Sequence, residues 1–405
     1  MQLNDSQERV VQQAIHWFRN SSEQTFEFTG EAGTGKSVVL QEIIRRLGLN
    51  EYQYMPMAYT GQAAIVMRLK GFTNARSIHS YLYEVREVLK FVENDVIVNS
   101  TFNVPETCLQ FSLKTPKSIP EQIKLFVIDE GYMVPQSMRR DIESFGRKVL
   151  VAGDSGQLPP VSGQPAYLTG YDVKRLTQIM RQAEGDPIIY LAHRARRGQP
   201  IHCGMYGNNV LVIEDRDLSD AMLKATNVVV CGTNVTRDMM NRYIRGNIRN
   251  IYSDFPIYGD RVICRNNNWF IERDHISLTN GLVGTVVNMP DLSGYTGDTL
   301  NIDFVPDLGN VLFNDLSIDY KYLRAPYQER NRLKSLPYKT GEKFEYAYAL
   351  TTYLAQGAEY PYGIYIEEFL RSNIQNQLNY TGITRFRNGM IYVKKSKGFN
   401  IFIPG

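Results

Sequence analysis

The residues best equipped for chemistry in this chain stand together near its N-terminus. Phe28-Thr29-Gly30-Glu31-Ala32-Gly33-Thr34-Gly35-Lys36-Ser37 contains the pattern G-x-x-x-x-G-K-[ST]. Glycines in such a loop let backbone N–H groups close around phosphate oxygens, and the positive end of a following helix adds to the attraction. Gly30, Gly33, Thr34 and Gly35 would form the cradle, Lys36 would reach the β- and γ-phosphates, and the Ser37 hydroxyl would hold Mg²⁺. A second constellation is Leu125-Phe126-Val127-Ile128-Asp129-Glu130, four apolar residues running into two carboxylates. Beside a bound triphosphate, Asp129 suits a metal ligand, and Glu130 suits the group that orients or deprotonates the attacking water. A third is Gly153-Asp154-x-x-Gln157, where Gln157 fits a polar sensor of the γ-phosphate. Gln7 has an amide that can pair with the N6 and N7 edge of adenine; taken alone it better suits a solvated helix residue.

These groups need elements to hold them. Asn4 or Asp5 can cap a first helix that buries Val10, Val11, Ala14, Ile15 and Phe18. Thr25 to Phe28 alternates as a strand, and Val38, Val39, Leu40, Ile43, Ile44 and Leu47 are spaced as the stripe of a helix. Strand, glycine loop and helix form the context the phosphate loop requires. Tyr54 to Tyr59 reads as a second core strand and leads through Thr60-Gly61-Gln62 into another helix. Leu125 to Glu130 reads as a central parallel strand, and Lys148 to Asp154 as a third strand. In the second half, Asn227 to Asn234, Gly363 to Ile366 and Gly389 to Val393 give further core strands. Residues 84–120 alternate differently and are punctuated by Pro105, Pro116 and Pro120, as in a β-hairpin. Residues 251–345 are β-rich and broken by turns, among them Asn280-Gly281.

Composition sets limits. A chain of 405 residues needs two or three domains, and 43% hydrophobic with 21% charged residues describes a globular protein. No apolar run approaches membrane-spanning length, and Met1 to Asp5 lacks the basic and apolar parts of a secretory signal. Cys108, Cys203, Cys231 and Cys264 are scattered without a C-x-x-C pair, which argues against zinc and disulfides and fits a reducing, cytoplasmic compartment. The net charge of +3 does not announce a nucleic-acid partner, so any basic surface must be local.

Taken together, the motifs resemble those of superfamily 1 helicases of the RecD-like, Dda-type branch, which move 5′ to 3′ on single-stranded DNA. Leu3-Asn4-x-x-Gln7 is similar to the adenine-reading Q motif of that family and Gly30 to Ser37 to its motif I. Ala58 to Ala64 is similar to motif Ia, and Ser77-Ile78-His79-Ser80 to the DNA-contacting segment after it. Asp129-Glu130 is similar to motif II, Gly153 to Pro160 to motif III, and Leu176 to Gln182 to motif IV, whose arginine here is Arg181. Ala349-Leu350-Thr351 through Gln356-Gly357-Ala358-Glu359 resembles motif V, and Tyr380-Thr381-Gly382-Ile383-Thr384-Arg385 resembles motif VI, which makes Arg385 an arginine finger. Two departures stand out: Tyr353-Leu354-Ala355 replaces the usual His-Lys-Ser of motif V, and motif II reads Asp-Glu-Gly rather than Asp-Glu-Ala.

The resemblance implies an α/β fold of two RecA-like motor domains, residues 1–83 with 121–180 and residues 181–250 with 346–405. It also implies a β-hairpin pin at 84–120 and an SH3-like insertion at 251–345. ATP and Mg²⁺ would be the cofactors, with Gln7 and Glu359 among the residues binding nucleotide. Thr60, His79, Asn234 and Thr351 would meet DNA, and Phe102, near the pin's tip, would meet the fork. The partners implied are single-stranded DNA, duplex forks and replication or recombination proteins, with no membrane and a monomeric motor. Local basic charge with interleaved aromatics, Lys321, Arg324, Arg330, Arg332, Lys334, Lys339 and Lys343 among Tyr320, Tyr322, Tyr327 and Tyr338, is expected either to bind DNA or to form a solvated loop. The alternatives to a helicase are a translocase that does not separate strands, an RNA motor, and a nucleotide-switched binding module.

Overall fold

The computed structural model describes residues 3–91, 105–178, 180, 185–274, 276–288, 297–309, 311–334, 341–369 and 374–395. They divide into two compact units, one made of Met1–Ile78, Thr115–Tyr252 and Ala347–Gly405, the other of His79–Lys114 and Ser253–Tyr346.

The first unit contains two lobes, each built on a six-stranded sheet. In lobe 1 helix α1 (Asp5–Asn20) starts from a capping box, in which Asn4 accepts the Gln7 N–H while the Gln7 amide oxygen accepts the Asn4 N–H. Its apolar face buries Val10, Val11, Ala14 and Trp17 against β1 (Thr25–Gly30) and α2 (Lys36–Leu47). The sheet runs, in spatial order, Arg76–Ser77, β2 (Tyr54–Ala58), Leu125–Asp129, Lys148–Gly153, β1 and Lys174–Leu176, with every pairing parallel. Parallel strands covered on both faces need unbroken apolar runs, which is why Leu125 to Ile128 and Val149 to Ala152 are fully buried. The same parallelism brings Gly30, Ala58, Asp129 and Gly153, each ending a strand, to one edge of the sheet, where open α/β sheets bind ligands.

Lobe 2 repeats the plan. Its sheet order is Ala349–Thr351, Val229–Cys231, Tyr360–Ile366, Phe386–Lys394, Val210–Glu214 and Gly204–Tyr206, parallel except for the last strand. Helix Pro187–Arg196 packs on helix Gln375–Ile383. The fold class is therefore α/β with two RecA-like lobes.

In the second unit, Tyr83–Phe91 and Pro105–Leu113 pair antiparallel from Tyr83↔Leu113 to Phe91↔Pro105. Residues 92–104, including Phe102, lie outside the described residues. A five-stranded antiparallel sheet, ordered Phe313–Asp319, Thr299–Pro306, Val283–Asn288, Arg261–Cys264 and Phe344–Tyr346, buries Phe304, Phe313 and Phe344. Trp269 meets Phe111 edge-on at 4.7 Å and stacks on His79 at 6.1 Å.

The basic run separates here into two kinds of residue. Tyr320 and Tyr322 are core residues rather than stacking platforms, and the Tyr322 hydroxyl donates to Glu345 at 2.7 Å. Arg330 and Lys343 are buried too, Arg330 3.7 Å from Glu345 and Lys343 donating to the Leu333 carbonyl at 2.9 Å. The acidic partner, Glu345, lies just beyond the run, so Arg330 and Lys343 serve the interior of this unit and fit neither the DNA surface nor the solvated loop. Lys321 and Arg324 remain exposed, and Tyr338 and Lys339 lie outside the described residues. No helix among the described residues is long and apolar enough to cross a membrane.

Candidate active site

The loop between β1 and α2 gets its shape from Gly33 and Gly35, at φ 81° and 78°. A Cβ at Gly35 would stand 2.6 Å from both the Gln7 amide nitrogen and the Met180 sulfur, so only glycine fits there without displacing them. Thr34 is buried and closes the turn by donating its hydroxyl to the Glu31 carbonyl at 2.8 Å. Lys36 folds back along the loop, its ammonium 2.8 Å from the Gly30 carbonyl. Gln7 is buried beneath the loop. Its amide nitrogen donates to the Thr34 carbonyl at 2.9 Å and its oxygen serves the capping box, so both ends of the expected adenine reader are used inside the protein.

Asp129 ends its strand and accepts the Glu130 N–H at 2.9 Å, while Glu130 adopts a left-handed φ of 54°. A strained backbone of that kind persists only where its surroundings enforce it. Gly131 explains one departure from the family pattern: a Cβ there would lie 2.3 Å from a Val151 methyl and 3.3 Å from the Ala152 carbonyl. Glu130 is half-exposed by surface, yet the surrounding protein desolvates its carboxyl and raises it above the usual range. Asp129 adds to that rise, and Lys36 and Arg385 oppose it.

Lobe 2 closes the site. Arg385 is 3% exposed and lies against lobe 1, 3.5 Å from the Gln157 amide oxygen. It also donates to the Thr381 carbonyl at 2.9 Å, the Ala358 carbonyl at 3.2 Å and the Thr384 hydroxyl at 3.0 Å. Burial lowers its guanidinium from its ordinary value, and Glu130 pulls the other way. Lys36, Ser37, Asp129, Glu130, Gln157 and Arg385 line one cavity of 590 Å³ that takes walls from both lobes. Glu359 lines it too, paired with Lys70 of lobe 1 at 2.8 Å and with Arg387. Desolvation lowers the Lys70 ammonium, against the pull of Asp129 and Glu130. Ser37 and Asp129 fit a small hard cation that takes its other ligands from phosphate and water. No group of three or more His, Cys, Asp or Glu able to hold a metal occurs among the described residues. Arg181 lies outside the described residues, although the Met180 N–H before it donates to the Gly33 carbonyl at 2.9 Å.

The residues expected to meet DNA fall in different settings. Thr60 caps helix α3 (Gly61–Leu69) by accepting the Ala63 N–H at 3.1 Å. Thr351 caps Thr352–Ala355, which contains the atypical Tyr353-Leu354-Ala355. Asn234 is exposed at the first turn of helix Asn234–Tyr243. His79, in the other unit, stacks on Tyr83 at 5.4 Å, and burial lowers its imidazole from the ordinary value. Sequence reasoning missed Lys70 and Arg196, charged residues whose partners are remote in the chain. The Gln356 amide, donating to the Leu158 carbonyl at 3.1 Å, was visible only as part of a motif.

A phosphate loop on one RecA-like lobe, two carboxylates beside it and an arginine from a second lobe define a two-lobed P-loop NTPase. The AAA domain family matches residues 2–216, and the chain belongs to that family. Among curated proteins it is similar to the ATP-dependent RecD2 DNA helicase of Deinococcus radiodurans, 34% identical over 101 residues. That match spans 24% of this chain and 14% of the relative's length. Among solved structures it is similar to the Pif1 helicase from Bacteroides in complex with ADP-AlF3 and ssDNA, with a TM-score of 0.55, 16% identity, and coverage of 100% of this chain and 95% of that one. A structure of DNA unwinding at forked dsDNA by two coordinating Pif1 helicases gives a TM-score of 0.54 and 17% identity over 97% of this chain and 92% of that one. At such identities the likeness is one of fold.

Proposed function

We propose that this protein is an ATP-dependent DNA helicase that moves 5′ to 3′ on single-stranded DNA. The observation that carries the reading is Arg385, buried in the same cavity as Lys36, Asp129 and Glu130 although it comes from the other lobe. A site completed by two lobes makes the presence of a γ-phosphate a mechanical variable, because its loss removes the charge that both sides hold. Lys36 neutralises the β- and γ-phosphates, and Glu130 orients and deprotonates the water. Arg385, with Arg181 as the expected second arginine, stabilises charge on the transferred group. ATP would supply the phosphoanhydride, and Ser37 and Asp129 would hold Mg²⁺, which would supply positive charge against the phosphates. Thr60 and the exposed Asn234 would meet a strand crossing both lobes through side-chain hydrogen bonds, whereas Thr351 is buried and caps its own helix. The relatives support the substrate class: the curated one is named a DNA helicase, and the similar structures are of Pif1 helicases, one in complex with ssDNA and one described for DNA unwinding at forked dsDNA. Forks and replication or recombination proteins are the partners this reading proposes, in a reducing compartment where Cys203, Cys231 and Cys264 are free thiols.

ATP turnover measured alone, with single-stranded DNA and with single-stranded RNA tests the reading. Strong stimulation by DNA and little by RNA is expected. Stimulation by RNA alone, or by neither, contradicts it.

A further inference from the structure

One buried hydroxyl lies between the phosphate loop and the turn that delivers the cleft arginine. Tyr380 sits on helix Gln375–Ile383 of lobe 2 and is fully buried. Its oxygen accepts the Ala32 N–H of the loop at 2.8 Å, and its O–H donates to Asp154, the residue that follows strand Lys148–Gly153 of lobe 1. Asp154 also accepts the Gly156 N–H at 2.9 Å and an Arg196 N–H at 3.0 Å, and the Arg196 guanidinium lies 5.4 Å from the Tyr380 ring centre. Glu31, the loop residue before Ala32, contacts His193 and lies 3.4 Å from Arg196. The next residue along the helix does related work: the Thr381 hydroxyl accepts the Leu158 N–H at 3.0 Å, and the Thr381 carbonyl accepts from Arg385. Burial and Asp154 hold the Tyr380 phenol well above its ordinary value, so it stays a donor at all working pH.

A tyrosine that merely filled space would need its ring alone. Here the oxygen joins two loops of lobe 1, and the adjacent carbonyl holds the arginine. We propose that Tyr380 is a positioning residue that couples the shape of the phosphate loop at Ala32 to the helix turn carrying Arg385. The arginine is then set for catalysis when the loop is shaped around phosphate. This rests on the cleft being an ATP site and names a residue through which the two lobes act on it together.

Tyr380→Phe keeps the ring and removes only the bridge. Asp154 retains Gly156 and Arg196, so the fold should survive, with a melting temperature close to wild type. Two readouts decide. In steady state, kcat should fall about 10-fold while KM for ATP stays within about 2-fold, the split expected when an interaction acts mainly in the transition state. In hydrogen exchange, a non-hydrolysable ATP analogue with Mg²⁺ should slow the amides of Gln375–Ile383 in the wild type. In the variant the analogue should still bind, and the helix should no longer respond. An unchanged kcat with an intact helix response overturns the proposal. So does a fall in kcat that tracks lost melting temperature while the helix still responds. Failure of DNA to stimulate the wild-type enzyme would sink the helicase reading instead, since the exchange measurement needs only nucleotide binding.

Discussion

Each lobe carries a parallel strand that runs through a short turn into a helix, and the two turns treat the same electrostatic problem in opposite ways. A helix start presents unpaired N–H groups and a partial positive charge. In lobe 1, α2 begins at Gly35 with no side-chain cap and no acidic residue in its first turn. Gly35, Lys36, Ser37 and Val38 line the cavity. In lobe 2, strand Val229–Cys231 leads to helix Asn234–Tyr243, and Thr233 caps that helix by accepting the Thr236 N–H at 3.2 Å. The lobe then supplies its own anion. The Glu368 carboxylate, 3% exposed, accepts the Thr233 N–H at 2.6 Å and the hydroxyls of Thr233 and Thr236, with Lys395 3.7 Å away. A Cβ at Gly232 would come within 3.0 Å of that carboxylate. One lobe leaves its helix start for phosphate, and the other fills it with glutamate. The comparison implies one nucleotide per chain, with lobe 2 contributing arginine rather than a second phosphate loop.

The largest effects should come from the lobe 1 turn. Lys36→Ala should abolish ATP turnover, and persistent hydrolysis in that variant would break the comparison outright. From lobe 2, Arg385→Ala should lower kcat about 10³-fold or more, the scale of removing an arginine finger. The arginine is also bonded to Thr381, Ala358 and Thr384, so a lower melting temperature should accompany the loss. A guanidinium with no bonds but those to nucleotide would show no such cost. Arg385→Lys, which keeps a charge but not the fork, separates the two contributions if its stability recovers more than its rate. Glu130→Gln should leave nucleotide binding intact and lower kcat by about 10²–10⁴-fold, the range for a general base. Because its carboxyl is raised by burial, the base form is gained only above the usual carboxylate range. The acid limb of wild-type kcat should therefore lie higher than for an exposed glutamate. Glu368→Ala sharpens the contrast from the other side. Loss of its charged hydrogen bonds should destabilise lobe 2 by about 1.5–3 kcal/mol, read by denaturant melts. Nucleotide stoichiometry by calorimetry should stay at one per chain. The smallest effect expected is a modest weakening of single-strand DNA binding in Asn234→Ala, measured by anisotropy at fixed salt.

Legibility in the sequence followed distance along the chain. The phosphate loop and Asp129-Glu130 are contiguous, and each is announced by an apolar run ending at the same sheet edge, so local pattern was enough. Arg385 was legible only through resemblance, since nothing near it in sequence says that it enters a cleft. Tyr380 and Asp154 are 226 residues apart, and Glu368 and Thr233 are 135 apart. Such pairings exist only once two sheets have folded, so no spacing rule could reveal them. The basic run stayed open between DNA and solvent for the opposite reason. Its charges are local, but Arg330 and Lys343 are spent on Glu345 and a carbonyl inside the second unit. Gln7 shows a third case, where residue type was informative and the partner was not: the amide meets its own helix cap and the Thr34 carbonyl.

The central claim, that two lobes around one ATP drive movement along single-stranded DNA from 5′ to 3′, is tested most directly by strand displacement. Duplexes with a 5′ tail and with a 3′ tail are incubated separately with the protein, ATP and Mg²⁺, and the released strand is measured. Phe102→Ala run in parallel should lose release while keeping DNA-stimulated turnover. The account predicts ATP-dependent release from the 5′-tailed duplex and little from the 3′-tailed one. Release from the 3′-tailed duplex alone, or from neither while DNA-stimulated turnover persists, would contradict it.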